Sequence, residues 1–164
     1  MKVSDIYMST HEVIYISPIG PVKITGSNDG IISIDFVEEG NTSKNIPPCL
    51  VECFNQLDQY FKGQRKEFSL DLIITGTDFQ KQAYEKLIQV PYGKTVSYKD
   101  IAMAMGNEKA VRAVGGANNK NKHSIVIPCH RIIGSNGSLV GYASGIWRKE
   151  WLLEHEGKFK TTDI

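Results

Sequence analysis

The stretch that most constrains this chain is Ile125-Val126-Ile127-Pro128-Cys129-His130-Arg131-Ile132-Ile133. A short β-branched run predicts a buried strand. Pro128 has no N–H to give to a sheet ladder, so the strand must end there or lie at an edge. Cys129, His130 and Arg131 are thus delivered from the end of a buried element, where a thiol can sit at the base of a pocket. Taken alone, Cys129 reads as a small core residue, because free cysteine is among the most buried side chains. The neighbouring segments decide between these readings.

The 164 residues suffice for one domain or two small ones. Residues 1–77 carry six Lys/Arg against ten Asp/Glu, and residues 78–164 carry thirteen against eight. A basic second half points to an anionic partner, most commonly nucleic acid. Cys49, Cys53 and Cys129 are an odd, sparse set. That argues against a disulfide framework and for a reducing cytoplasm. The apolar runs are far too short to span a bilayer, and Met1–Thr10 lacks the apolar core of a secretion signal. No membrane association is expected.

The first half reads as β followed by helix. Val13, Tyr15 and Ser17 alternate with Ile14 and Ile16, Pro18–Pro21 is a turn, and Val22–Thr25 continues as a second strand. Ser27-Asn28-Asp29-Gly30 is a hairpin turn into a third strand, Ile31–Val37. A loop containing Gly40–Ser43 and Pro47-Pro48 follows. Leu50, Val51, Phe54, Leu57, Tyr60 and Phe61 have helical spacing, and Gly63 closes that helix. Phe68–Ile74 is strand-like. Cys49 and Cys53 lie four apart on the helix, and with His11 as the nearest histidine they make no zinc set. No metal and no cofactor is expected.

Gly76 marks a domain boundary. Thr77 and Gln80 form a capping box for a helix that buries Phe79, Ala83, Tyr84 and Leu87 and ends at Pro91-Tyr92-Gly93. Ser97–Asp100 caps a second helix with Ile101, Ala102 and Met105 on its apolar face. Gly106 breaks it, and Asn107 is placed to cap a third helix from Glu108. The pair forms a helix-turn-helix. The third helix holds Gly115 and Gly116, each costing about 1 kcal/mol relative to Ala. Such a cost fits close approach of a nucleic-acid backbone to Ala113, Gly116 and Ala117, with Arg112 as the one long cation; tight helix packing and a surface ion pair would explain the same residues. Beyond a polar loop and the opening stretch, Gly134–Ser138 is a turn and Leu139–Gly145 a loop of small residues able to line a pocket. A last helix runs from Trp147 to His155 with Trp151, Leu152 and His155 inward. Glu156-Gly157 ends it and Lys158–Ile164 forms a loose tail.

Pro91-Tyr92-Gly93, Val96-Ser97-Tyr98, Ala110–Asn118, Ile127–Arg131 and Trp151–Gly157, in that order, resemble the O6-alkylguanine-DNA alkyltransferases, or methylated-DNA–protein-cysteine methyltransferases. The resemblance is close over residues 78–157 and weak over 1–76. It implies an α+β chain: a ribonuclease-H-like β-sheet and helix domain over 1–76, then a mainly helical, winged-helix-like domain with a helix-turn-helix over 77–164. It implies a monomer acting on double-stranded DNA that carries O6-alkylguanine, or O4-alkylthymine, with one alkyl transfer per molecule.

The resemblance also assigns roles. Cys129 is the alkyl acceptor, His130 its base through a water, and Glu156 the group that orients the imidazole. A free thiol, with a pKa of about 8.5, does need such a base. Neighbours on an extended strand point apart, so a turn at Pro128-Cys129-His130 is required. Because the target carbon lies inside the duplex, the nucleotide must be flipped out. Arg112 takes its place in the stack. Tyr98 rotates the phosphate and gives its hydroxyl to the departing base. Ala113, Gly116 and Ala117 let the helix lie in the minor groove. Backbone groups near Cys129, Ile132 and Ala143 read the guanine edges, Tyr142 walls the pocket, and Asn121 ties the recognition helix to the active-site turn. Departures from the family pattern are Lys122-His123-Ser124 where Pro commonly follows the Asn, Ser144 for a common Gly, and a bulkier Val140, which predicts a narrower pocket.

Three other readings compete. A non-catalytic lesion-binding protein has no need of Cys129. A cysteine hydrolase using Cys129, His130 and Glu156 leaves the helix-turn-helix and Arg112 unexplained. A regulator with a metal-binding cysteine region needs more cysteines than Cys49 and Cys53.

Overall fold

The computed structural model describes residues 9–42 and 44–161. It divides into two compact units, one ending at Ile74 and the other beginning at Thr75. In the first unit β1 (His11–Ser17), β2 (Gly20–Ser27) and β3 (Gly30–Phe36) form an antiparallel sheet in that order. The register pairs Val13 with Ile24, Tyr15 with Val22 and Ile24 with Ile34. Opposed residues share a face, and these five are buried. A 3-10 turn, Pro48–Leu50, leads into α1 (Val51–Phe61); Leu50 of the turn and the Cys53, Leu57 and Tyr60 side of the helix belong to the same core. Tyr15 meets Phe54 edge-on at 5.3 Å and Phe61 at 5.8 Å. Each such apolar side chain contributes about 1.5–3 kcal/mol by leaving water.

Phe68–Ile74 does not form the expected strand. Only a bridge between Leu72 and Ile31 is made. The Gln56 side chain intercepts the segment first: its amide donates to the Ser69 carbonyl at 3.1 Å and accepts from the Ser69 N–H at 2.9 Å. Ser43 in the preceding loop lies outside the described residues.

The second unit begins with α2 (Asp78–Ile88), capped by Thr77 and Gln80 in reciprocal hydrogen bonds of 3.1 and 3.0 Å. A second capping box, Ser97 with Asp100, starts α3 (Tyr98–Ala104) directly after β4 (Val96–Ser97). α3 and α4 (Val111–Asn119) pack on each other and on α2, completing the helix-turn-helix. Asn107 does not cap α4. Its Oδ1 closes a local turn by accepting from the Lys109 N–H at 3.2 Å, and the helix starts only at Val111. β5 (Ile132–Ile133) pairs in parallel with β4.

α5 spans Ile146–Phe159, so Gly157 does not end it and Lys158 and Phe159 are helical rather than tail. Glu156 therefore projects from a helix, not from a loop. Leu152 and His155 point inward; Trp151 is half-buried and stacks on His155 at 4.9 Å. Residues 162–164 of the expected tail lie outside the described residues. Among the described residues no helix is long and apolar enough to cross a membrane. The architecture is α+β, a sheet-and-helix unit followed by a mainly helical one.

Candidate active site

The Ile125–Ile127 part of the opening stretch is not a strand; only Ile132–Ile133 is extended and paired. From His123 to Cys129 the backbone folds through two tight turns. The Val126 N–H donates to the Ser124 carbonyl at 2.9 Å across Ile125, which has φ +74°, the one positive φ at a non-glycine among the described residues. A β-branched residue in that region is strained, and such strain clusters at functional sites. The Cys129 N–H then donates to the Ile127 carbonyl at 2.7 Å across Pro128 (φ −80°, ψ 64°). These are inverse γ-turn angles, and the proline ring already holds φ close to them. Asn121, two residues past the end of α4, secures the path: its Nδ2 donates to the Ile127 carbonyl at 2.9 Å and its Oδ1 accepts from the His123 N–H at 3.0 Å. Cys129 starts a single 3-10 turn, Cys129–Arg131, so thiol and imidazole do not diverge as strand neighbours would.

Behind the thiol lies a buried charge cluster. Glu156, 0% exposed, accepts from His130 Nε2 at 2.6 Å, from Arg131 at 2.8 and 3.0 Å, and from the Gly93 N–H at 3.2 Å. Arg131 also donates to the Val90 carbonyl at 2.8 Å and lies over the Tyr92 ring. Burial opposes ionisation of Glu156, but His130 and the Arg131 fork outweigh it and hold the carboxyl well below the usual carboxylate range. Burial pushes His130 below its ordinary value, against the pull of Glu156. The arrangement is then a neutral imidazole, an ionised carboxylate and a permanently charged guanidinium. With Nε2–H given to the carboxylate, Nδ1 keeps its lone pair. It is buried and has no hydrogen-bond partner in the protein.

These shifts tie stability to pH in one direction. The Glu156 contribution is complete above the ordinary carboxylate value of 4.5 and is lost as pH falls toward its depressed one. As pH falls through 6.5, the unfolded chain protonates His130 before the folded one does. Denaturant unfolding is expected to show stability declining steadily from pH 7 to pH 5. A constant value over that range would contradict the neutral, buried imidazole.

Cys129 is 5% exposed. Burial pushes its thiol up, while Asn121, Lys149 and Tyr142 act to bring it down. The net shift is upward, so the resting thiol is protonated and a base must take the proton. Burial, with Cys129 beside it, raises the Tyr142 hydroxyl well above the phenol range, so it stays a donor. The Tyr98 hydroxyl donates to the Val140 carbonyl at 3.0 Å. Ile132 is buried and Ala143 exposed.

On α4, Arg112, Ala113 and Gly116 are exposed. A side chain built at Gly116 would meet no protein atom within 4 Å, so packing within the chain does not explain that glycine. Ala117 is different. It is 1% exposed, its carbonyl accepts from the Tyr84 hydroxyl at 2.9 Å, and it sits with Val114 and Asn118 on the inward stripe. It is a packing residue, not part of the outer face. Two members of the cluster have no expected role from sequence. Arg131 could have been suspected as a charge inside an apolar run, which requires a partner. Lys149 lies three residues before Leu152 and seven before Glu156, on the same helical face.

Two family models match the chain: the ribonuclease-like domain of 6-O-methylguanine DNA methyltransferase over residues 11–74 and its DNA-binding domain over 78–158. The chain belongs to that family. A methylated-DNA–protein-cysteine methyltransferase of Methanosarcina barkeri is 46% identical over 147 residues, covering 85% of this chain and 92% of the relative. The crystal structure of the Mycobacterium tuberculosis O6-methylguanine methyltransferase superposes with a TM-score of 0.84 at 38% identity, covering 94% of this chain and 96% of the other. Its complex with DNA gives 0.84 at 39% identity, covering 91% and 94%. The family relationship thus extends over the sheet unit, where the sequence resemblance was weak.

Proposed function

We propose that Cys129 is the acceptor through which this methylated-DNA–protein-cysteine methyltransferase repairs O6-alkylguanine in duplex DNA. The observation that carries the reading is the unpartnered Nδ1 of a neutral, buried His130 next to a buried thiol, with an ionised Glu156 behind the ring. A water relays the Cys129 proton to Nδ1, and Glu156, anchored by Arg131, stabilises the imidazolium that forms. The thiolate attacks the alkyl carbon. The S–C bond forms as the O6–C bond breaks, and the electron pair leaves on guanine, which then takes a proton. Water does not cleave the thioether, so each molecule acts once. O4-methylthymine offers the same O-methyl group.

The lesion must leave the stack to reach Cys129. Arg112 enters the vacated position, and Ala113 and Gly116 allow α4 to lie close to the minor groove. Tyr98 serves the phosphate and the departing base, which requires it to release the Val140 carbonyl. Asn121 holds the turn, Tyr142 walls the pocket, and the backbone at Ile132 and Ala143 reads the base edges. The protein acts as a monomer on alkylated double-stranded DNA, in the cytoplasm, where a free Cys129 thiol persists.

Intact-mass measurement after incubation with a duplex containing O6-methylguanine tests the proposal. One methyl group per protein is expected, on the Cys129 peptide and absent in Cys129→Ser. Turnover of excess substrate, binding without mass gain, or methylation of another residue would overturn it.

A further inference from the structure

We infer that Lys149 is a positioning residue of the alkyl-acceptor site: its buried amine, with the Tyr98 hydroxyl, clamps the Val140 carbonyl of the pocket loop, and its charge favours the Cys129 thiolate. The inference rests on the proposed role of Cys129. Lys149 is 0% exposed, among the largest fully buried side chains of the unit. Lysine is almost never so buried without a paired charge. Here no carboxylate forms an ion pair with it among the described residues. Its Nζ donates instead to the Val140 carbonyl at 2.8 Å. The same oxygen accepts from Tyr98 at 3.0 Å. One carbonyl thus joins α3 of the helix-turn-helix, the pocket loop and α5. Gly141 permits it: its φ is +68°, and a Cβ there would stand 3.0 Å from the Tyr98 hydroxyl oxygen.

A buried ammonium facing a neutral carbonyl lacks a counter-charge, and the thiolate of Cys129 supplies one. The titratable groups tied to it are Cys129 and His130 on the 3-10 turn, whose charges interact with its own, and Tyr98 on α3, which shares the Val140 carbonyl; Tyr142 follows two residues along the loop, and Arg148 and Glu156 lie on its own helix. Burial lowers Lys149 to about 8, and the Cys129 charge pulls it back up. Reciprocally, Lys149 lowers Cys129 and also lowers His130, which keeps the imidazole in its proton-accepting form. The first effect favours moving the proton off sulfur; the second weakens the imidazole as a base, so the help of Lys149 acts on the thiol.

The test compares Lys149→Met, of similar length without charge, and Lys149→Gln, which keeps a donor. Iodoacetamide modification of the Cys129 peptide is followed against pH without DNA, alongside single-turnover repair and DNA affinity. Both variants are expected to move the thiol-reactivity midpoint up by about one pH unit, corresponding to about a tenfold slower reaction at neutral pH. DNA affinity should change less than threefold. Lys149→Gln preserves a clamp to Val140 and serves as the readout should Lys149→Met not fold. A folded variant with an unchanged thiol profile overturns the inference, as does a loss of repair matched by an equal loss of DNA affinity. A wild-type protein that shows the profile but takes no methyl group overturns the proposed function instead.

Discussion

Replacing Glu156 by glutamine is expected to destabilise the second unit by about 3–5 kcal/mol, the cost of breaking a buried ion pair from one side. The carboxylate is fully buried and takes hydrogen bonds from His130 Nε2, from Arg131 twice and from the Gly93 N–H. Glutamine keeps the shape but has one acceptor oxygen. Whichever way its amide lies, an N–H group faces either the Arg131 fork or the His130 N–H, and the guanidinium loses its counter-charge. Trp147 and Trp151, the two tryptophans of the chain, lie in this unit, so fluorescence-detected denaturation reports on it alone. Adding Arg131→Met removes the orphaned charge. The double variant should therefore recover much of the loss, a positive coupling in the mutant cycle. A single-variant cost below about 1 kcal/mol, or two costs that simply add, would show that the cluster does not act as a unit.

How much of this was legible in the sequence depended on where the determining contacts lie. The three-stranded sheet and both capping boxes rest on residues close in sequence, and alternation or a three-residue spacing suffices to read them. The helix-turn-helix was likewise readable, apart from the start of α4, where Asn107 bonds locally instead of capping. The turn at Cys129 was expected, but the Ile125–Ile127 segment that leads to it was misread as a strand. Its β-branched composition suggests extended backbone, but Ile125 is held at a positive φ and the Ile127 carbonyl is claimed by both Asn121 and the Cys129 N–H. Such a conformation is imposed by its surroundings and has no periodicity. Ala117 was placed on the outer face because small residues cluster there, whereas helical phase groups it with Val114. The contact between His130 and Glu156 was expected, but the anchoring of Glu156 by Arg131 was not. A pairing across 25 residues leaves no local pattern, only the anomaly of a charge in an apolar run.

Arg112→Ala is expected to slow repair of a paired lesion by about 30- to 150-fold while leaving stability within about 0.5 kcal/mol of wild type. Arg112 is exposed on α4, so its loss creates no cavity. Extruding a paired base costs a few kcal/mol, and a side chain that occupies the gap offsets part of it. If Arg112 supplies 2–3 kcal/mol of that compensation, the stated factor follows at about 1.4 kcal/mol per tenfold. The cost of extrusion is small when the lesion is unpaired or lies opposite an abasic site, so the penalty should shrink to a few-fold there. Gly116 beside it, with open space where a side chain would stand, is consistent with an outer face that must be approached closely. A phosphate contact predicts something else: a uniform loss across paired and unpaired substrates, together with a shallower salt dependence. Single-turnover rates on matched duplexes, at two salt concentrations, separate the two roles. An equal loss on paired and unpaired lesions would assign Arg112 to the backbone of the DNA rather than to its stack.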